Sequence, residues 1–158
     1  MFEGWRWRQR LVVAWGWLFA LNLGFLVLAC AKPVAKGPQV AEPLRVVRAQ
    51  VDAFNRRDVA ALVAGVAPDF KWLSVDAQQT VTEVEGPEAL RTSMVDYFVS
   101  MPTVRSSIEE VFVEGDFVAV RERVSWETAK GLRSQSALAV YGIRAGKIFR
   151  VWYYPAQH

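Results

Sequence analysis

The 158-residue sequence has one cysteine, one histidine, no block of like charge and no cluster of glycines. Each scarcity removes a class of chemistry. A lone cysteine, Cys30, excludes an intrachain disulfide, and a lone histidine at the last position, His158, excludes a histidine-based metal cluster or a Ser-His-Asp triad. The ten glycines stand singly, mostly in turn-like contexts, rather than in a loop that could cradle phosphates. Neither a metal nor an organic cofactor is expected. Charge of one sign is also scarce: of 19 Lys+Arg against 16 Asp+Glu, Arg6, Arg8 and Arg10 precede the first apolar run, with Glu3 their only opposing charge. The rest of the chain is nearly neutral, so no nucleic-acid partner is expected.

What is present begins with residues 11–30, LVVAWGWLFALNLGFLVLAC, which carry no charge and follow the arginines. Basic n-region followed by apolar run is the layout of a bacterial export signal. The run ends in Val27-Leu28-Ala29-Cys30, which resembles a lipobox, although Leu28 stands where a smaller residue is more usual. On this reading residues 1–30 are a signal peptide, Cys30 is the lipidated first residue of the mature protein, and residues 31–42, with Pro33 and Pro38, form a tether. The alternative is an uncleaved signal anchor, because about 20 apolar residues span a bilayer. Either way residues 43–158 are expected as an exported domain held at the membrane of a bacterial cell envelope.

Within that domain the periodicity changes three times. Pro43 suits the first turn of a helix, and Leu44, Val47, Val51 and Phe54 recur at helical spacing. Asp58 is placed to cap a second helix over 59–66, ended by Pro68. Short strands over 70–75 and 79–84 surround Asp76-Ala77, and Gly86-Pro87 opens a third helix with Leu90, Met94, Tyr97, Phe98 and Met101 on one stripe. After Pro102 the pattern becomes period two: strands are expected at 105–113, 117–127, 132–143 and 147–154, separated by Glu114-Gly115-Asp116, Lys130-Gly131 and Ala145-Gly146. Two helices, a hairpin, a helix and a four-strand meander make an α+β fold with helices on one side of an antiparallel sheet.

That order, with Val51-Asp-Ala-Phe-Asn-Arg-Arg-Asp58, Ala67-Pro-Asp-Phe70, Glu85-Gly-Pro-Glu-Ala-Leu90 and Gly146-Lys-Ile148, resembles the nuclear-transport-factor-like superfamily, which includes SnoaL-like polyketide cyclases and ketosteroid isomerases. The resemblance implies a cone: a curved antiparallel sheet wrapped around three N-terminal helices, with an apolar cavity inside and an outer sheet face that commonly pairs two subunits. It also implies where the isomerases' catalytic groups would fall. The base on the first strand falls at Ser74, the tyrosine of the first helix near Gln50, and the partner acid of the third meander strand near Ala139. A hydroxyl, an amide and a methyl cannot perform that acid–base chemistry, so isomerisation by that route is not expected. Fold alone leaves the function open.

One residue interrupts the period-two pattern. In Val118-Ala-Val-Arg-Glu-Arg-Val-Ser-Trp126, Glu122 shares a strand face with Val118, Val120, Val124 and Trp126. On the family scaffold that face lines the cone, with Gln135, Ala137, Ala139 and Tyr141 from the next strand, Phe149, Val151 and Tyr153 from the last, and Gln50 and Phe54 from the first helix. Apolar walls with a few convergent polar groups suit a small, mostly apolar ligand. Desolvation should raise the pKa of an inward carboxylate, which suits an acid or base, so Glu122 and Tyr141 are the candidate catalytic pair. The competing reading is that Glu122 only anchors the sheet through backbone amides, Gln135 or an arginine.

The opposite face collects Arg121, Arg123, Arg150, Trp152 and Tyr154, a composition enriched in protein interfaces; it is the expected homodimer surface and, if the cone is filled, the face through which the domain would act as a protein-interaction module. Glu83, Glu85, Arg105, Glu109 and Glu110 are read as solvated charges. A register slip of one residue would exchange the two faces.

Overall fold

The computed structural model describes residues 41–154. The apolar run, Cys30, the tether up to Val40 and the last four residues lie outside the described residues. Among the described residues no helix is long and apolar enough to cross a membrane.

Helix α1 runs Glu42–Arg56, with Pro43 in its first turn, where a missing N–H costs nothing, and Val47, Val51 and Ala53 buried. It stops because Arg57 takes a left-handed conformation (φ 57°, ψ 30°) and turns its N–H back onto the Ala53 and Phe54 carbonyls. The Asp58 carboxylate then accepts from the Ala61 N–H at 2.9 Å and starts α2, Val59–Ala64.

Here the structure departs from the sequence reading. Helix α2 ends at Gly65, and strand β1 (Val66–Val75) begins at Val66, so Pro68 lies inside a strand rather than closing a helix. The physical reason is visible in the pairing: β1 meets β6 at Val66↔Ile148 and again at Lys71↔Arg150, with a register shift between. Pro68 occupies this irregular stretch, where a strand can do without an N–H.

Strand β2 (Thr80–Glu85) returns antiparallel to β1 across a turn in which the Asp76 carboxylate accepts from the Gln78 and Gln79 N–H groups, each at 2.8 Å. Gly86, at φ 83° and ψ 166°, makes the sharp entry into α3 (Pro87–Ser100), a conformation a side chain would strain. Helix α3 buries Leu90, Met94 and Phe98. The meander β3 (Arg105–Glu114), β4 (Phe117–Thr128), β5 (Gly131–Arg144) and β6 (Lys147–Tyr154) follows within a residue or so of expectation.

The six strands of the described residues form one sheet in the order β2-β1-β6-β5-β4-β3, in which the β1–β6 pair is parallel and the other pairs are antiparallel. The curved sheet and the three helices share one core, in which Val47, Leu62, Phe70, Met94, Phe98, Val118 and Ile148 are buried. The α+β cone expected from the sequence is the observed architecture.

Registers decide which side chains meet inside. The β4–β5 ladder is unbroken from Phe117↔Gly142 to Thr128↔Gly131, so Val120, Glu122 and Val124 stand opposite Ala139, Ala137 and Gln135 on one face, as the alternation implies. The β5–β6 ladder is broken: Gly142 pairs with Arg150 but Ile143 pairs with Ile148, leaving Phe149 as an extra, bulged residue. This bulge re-aims Phe149 onto the outer face. Its ring packs on Trp152 (centroids 6.5 Å apart) and lies beneath the Arg144 guanidinium at 5.0 Å, while Ile148 takes the inward position. A second bulge, at Ile108/Glu110 on β3, turns Glu109 outward, where Arg121 at 3.2 Å and Arg123 at 2.5 Å hold it. Arg123 beside it keeps the Glu109 carboxyl below the usual carboxylate range. Glu109 is thus an ion-pair hub rather than a solvated charge. Glu110 and Glu85 also pair, with Arg121 at 3.6 Å and Lys71 at 3.0 Å. Arg105 donates to the Asn55 carbonyl.

Candidate functional site

A cavity of about 270 Å³ opens between the helices and the concave face of the sheet. Helix α1 contributes Gln50, Val51 and Phe54 to its wall, α2 contributes Leu62, and α3 contributes Leu90, Met94 and Tyr97. The sheet supplies Phe70 and Trp72 from β1, Glu122 and Val124 from β4, Gln135 and Tyr141 from β5, and Ile148, Val151 and Tyr153 from β6. The wall is mostly apolar, and among the described residues no Lys, Arg or His stands in it.

Glu122 sits at the polar end and is 7 % exposed. Three hydroxyls converge on its carboxylate. Ser106 donates to Oε1, while Tyr141 at 3.0 Å and Tyr153 at 3.3 Å donate to Oε2. Among the described residues no Lys or Arg pairs with it, because its strand neighbours Arg121 and Arg123 point to the other face and are held by Glu109. A carboxylate offers about four lone-pair directions, so three donors leave one unfilled. Each phenol that spends its proton on Glu122 keeps its oxygen as an acceptor.

Burial and the nearby Glu122 charge push the Tyr141 hydroxyl well above its ordinary range, and raise Tyr153 and Tyr97 for the same two reasons. The three phenols therefore stay protonated across the physiological range, so none serves as a base there.

The cluster is braced from outside. Ser106, itself 5 % exposed, lies on the Glu122 face because Ser106↔Val124 and Ile108↔Glu122 precede the β3 bulge. Asn55, at the end of α1, holds it by two hydrogen bonds of 2.8 Å: the Asn55 amide donates to the Ser106 carbonyl and accepts from the Ser106 N–H. The stretch Val51–Asp58 thereby acquires a physical reading: Asn55 clamps β3, the Arg57 guanidinium donates to the Pro102 carbonyl, and Asp58 caps α2.

Of the residues expected at the site, Gln50, Phe54, Glu122, Val124, Gln135, Tyr141 and Tyr153 line the cavity. Val120 is sealed behind it at 1 % exposure, Trp126 packs against the core outside the wall, and Phe149 is on the outer face. Gln135 is exposed and stands at the mouth. The Gln50 amide donates to the Leu62 carbonyl at 3.3 Å, so it bridges α1 and α2 as well as lining the space. Ser74 pairs with Tyr153 across the parallel β1–β6 ladder, and Ala139 is fully buried beneath it. Sequence reasoning missed Trp72 and Tyr97 as wall residues and Ser106 as a carboxylate ligand. For Tyr97 the helical stripe was a signal, but nothing local marks which part of a stripe borders empty space.

The geometry defines a class: a cone-shaped α+β domain with a hydroxyl-bound carboxylate at the polar end of an apolar cavity. The chain belongs to the SnoaL-like domain family, whose profile matches residues 47–151. No curated protein matches the chain. Among solved structures it is similar to a cystatin-fold protein from Novosphingobium aromaticivorans, at 23% identity and a TM-score of 0.62 over 70% of this chain and 96% of that one. It is also similar to a ketosteroid-isomerase-like protein from Catenulispora acidiphila solved with trimethylamine, at 16% identity and a TM-score of 0.60 over 70% and 84%. A candidate polyketide cyclase from Sinorhizobium meliloti gives 23% identity and a TM-score of 0.54 over 69% and 93%. Likeness at these identities speaks for the fold alone.

Proposed function

We propose that this SnoaL-like domain is a binding cup for a small, mostly apolar molecule, tethered at a bacterial membrane on its exported side. The observation that carries the reading is the open cavity of about 270 Å³ directly in front of Glu122. A cone acting only through its surface would have no reason to leave such a space unfilled, since interiors pack densely. The volume is near the lower bound of ligand pockets, roughly 300 Å³, which favours a small occupant. The N-terminal layout that ends at Cys30 supports the tether. Labelled fatty acid entering the wild type but not Cys30→Ser is the expected result, and no incorporation in the wild type sinks the lipid anchor.

The cup itself is tested by mass spectrometry of small molecules co-purifying with the full chain. A molecule recovered from the wild type and lost from Gln135→Trp, which fills the mouth without touching the buried core, supports it. Recovery of nothing above a mock purification counts against it.

A second reading, a cofactor-free isomerase, hydrolase or cyclase, is favoured by one contact: Tyr141 lies 3.0 Å from Glu122, within reach for a shared proton. With a substrate in hand, Glu122→Gln should then lower turnover by about two to four orders of magnitude. A pure binder shows no turnover to lose.

The outer face supports pairing of two copies. Phe117 and Phe149 flank Trp152 at 6.2 and 6.5 Å, the Arg150 guanidinium lies 5.7 Å above the Trp152 ring, and Leu138 (46 % exposed) and Tyr154 lie on the same face. Sedimentation of wild type as a dimer and of Leu138→Glu as a monomer is the expected outcome; a monomeric wild type removes the pairing.

A further inference from the structure

Resting on the cup reading, we infer that the occupant carries a positively charged nitrogen: the cavity is built for a small organic ammonium ion on an apolar body.

Four observations converge. Glu122 is 7 % exposed and is held by hydroxyls alone, with no basic side chain pairing it among the described residues. Buried charges in proteins are ordinarily paired with an opposite charge, because hydroxyl dipoles offset only part of the desolvation cost. The arginines that flank it in sequence are turned away and held by Glu109, so they do not serve as its counter-ion. Among the described residues the cavity wall likewise contains no Lys, Arg or His that could favour an anion.

The second line is the direction of the hydrogen bonds. With the protons of Tyr141 and Tyr153 donated to Glu122, what this cluster keeps for an occupant is acceptors: the remaining carboxylate lone pair and two phenol oxygens. An occupant that accepts, such as a ketone or carboxylate, would find its donors elsewhere on the wall, at the Tyr97 hydroxyl and the Gln135 amide, and not at these acceptors. An ammonium brings donors and charge together.

The third line is the wall. The rings of Phe54 and Tyr97, 6.1 Å apart, and of Trp72 and Tyr153, 6.0 Å apart, border the same space. Aromatic faces attract cations and accept an apolar body equally well. A fourth is the cavity's size, about 270 Å³, which suits a small molecule with Glu122 in its wall.

The test uses the full chain in a neutral detergent and two probes of nearly the same shape, benzylammonium and benzyl alcohol, titrated calorimetrically at neutral pH. The expected result is at least about tenfold tighter binding of the ammonium, the combined effect of charge pairing and ring faces. Glu122→Gln should erase most of that preference while the alcohol binds within about threefold of wild type, which shows the cavity intact. Tyr97→Leu, which keeps the carboxylate and removes a ring, should cost the ammonium about two- to fivefold relative to the alcohol. Equal or tighter binding of the alcohol by the wild type overturns the ammonium inference and leaves the cup standing. Binding of neither probe overturns both.

Discussion

Asn55 and Ser106, 51 positions apart, close a ring of two 2.8 Å hydrogen bonds that ties the end of α1 to β3. The consequence reaches the cavity, because the Ser106 hydroxyl in turn donates to Glu122. Asn55→Ala strands the Ser106 N–H and carbonyl in a partly buried place and should destabilise the domain by about 1–3 kcal/mol. Urea unfolding should show a lower midpoint at an unchanged slope. Asn55→Asp, which keeps the acceptor and loses the donor, should fall between the two. A midpoint for Asn55→Ala equal to wild type shows that the clamp carries no stability.

The two tyrosines on Glu122 should not be equivalent. Tyr141 is buried and donates at 3.0 Å, whereas Tyr153 is partly exposed and donates at 3.3 Å. Removing a hydrogen bond to a charged group costs about 1.5–3 kcal/mol. Tyr141→Phe should reach that range, and Tyr153→Phe should cost less, because water can replace its hydroxyl. Equilibrium unfolding of both single variants and the double checks the order. Since both hydroxyls act on one carboxylate, the double variant should depart from additivity, as groups in one network do. Equal single effects that simply add would mean that the two phenols do not share Glu122.

How much of this arrangement could be read from the sequence varies with the kind of contact. The strand alternation around Glu122 was legible because the β4–β5 ladder has no bulge, so period two holds over its full length. Phe149 was misread for the converse reason. Its alternation with Val151 and Tyr153 is regular in sequence, but the bulge opposite Gly142 and Ile143 reverses it. That bulge is bound up with tertiary packing: a Cβ on Gly142 would stand 2.7 Å from the Phe149 ring, so the glycine leaves room for the re-aimed side chain. Pro68 was misread because a proline after a short helix is a common stop signal, and only the break in the β1–β6 register shows that a strand accommodates it. The Asn55–Ser106 clamp left no trace in local pattern, since its partners lie on elements that meet only after folding. The carboxylate could be singled out by its oddity in an apolar row; its three hydroxyl partners, on β3, β5 and β6, could not all be.

The same cluster sets an alkaline limit. Tyr141, Tyr153 and Tyr97 have folded-state values raised above the ordinary tyrosine value of about 10 by burial and by the Glu122 charge. A raised value means that the folded state holds its proton more tightly than the unfolded chain does. The stability this provides is complete below about pH 10 and is lost as pH rises through the folded-state values, because the unfolded chain ionises first. Stability should therefore show no loss from these groups up to about pH 10 and decline above it. In a spectrophotometric titration, their phenolate absorbance should appear together with the loss of near-ultraviolet circular dichroism. Three tyrosines ionising near pH 10 in a protein that keeps its near-ultraviolet signal would contradict the buried cluster.

Gly65 and Gln50 offer a test of how closely α1 and α2 meet at the cavity. Gly65 has an ordinary helical conformation (φ −76°, ψ −10°), so backbone freedom does not require glycine there. By entropy alone, Gly65→Ala should stabilise by about 0.4–1 kcal/mol. Yet an added Cβ would stand 2.5 Å from the Gln50 Oε1, and the amide would have to swing away and give up its 3.3 Å bond to the Leu62 carbonyl. Losing that bond costs about as much as the entropy provides or somewhat more, so Gly65→Ala should be neutral to destabilising by about 1 kcal/mol in the wild-type background. In a Gln50→Ala background the obstruction is gone and the sign should reverse, with Gly65→Ala stabilising. A double-mutant cycle measured by thermal or urea unfolding isolates this coupling. If the effect of Gly65→Ala is the same with and without Gln50, the close approach of the two helices at that point is not what keeps the glycine.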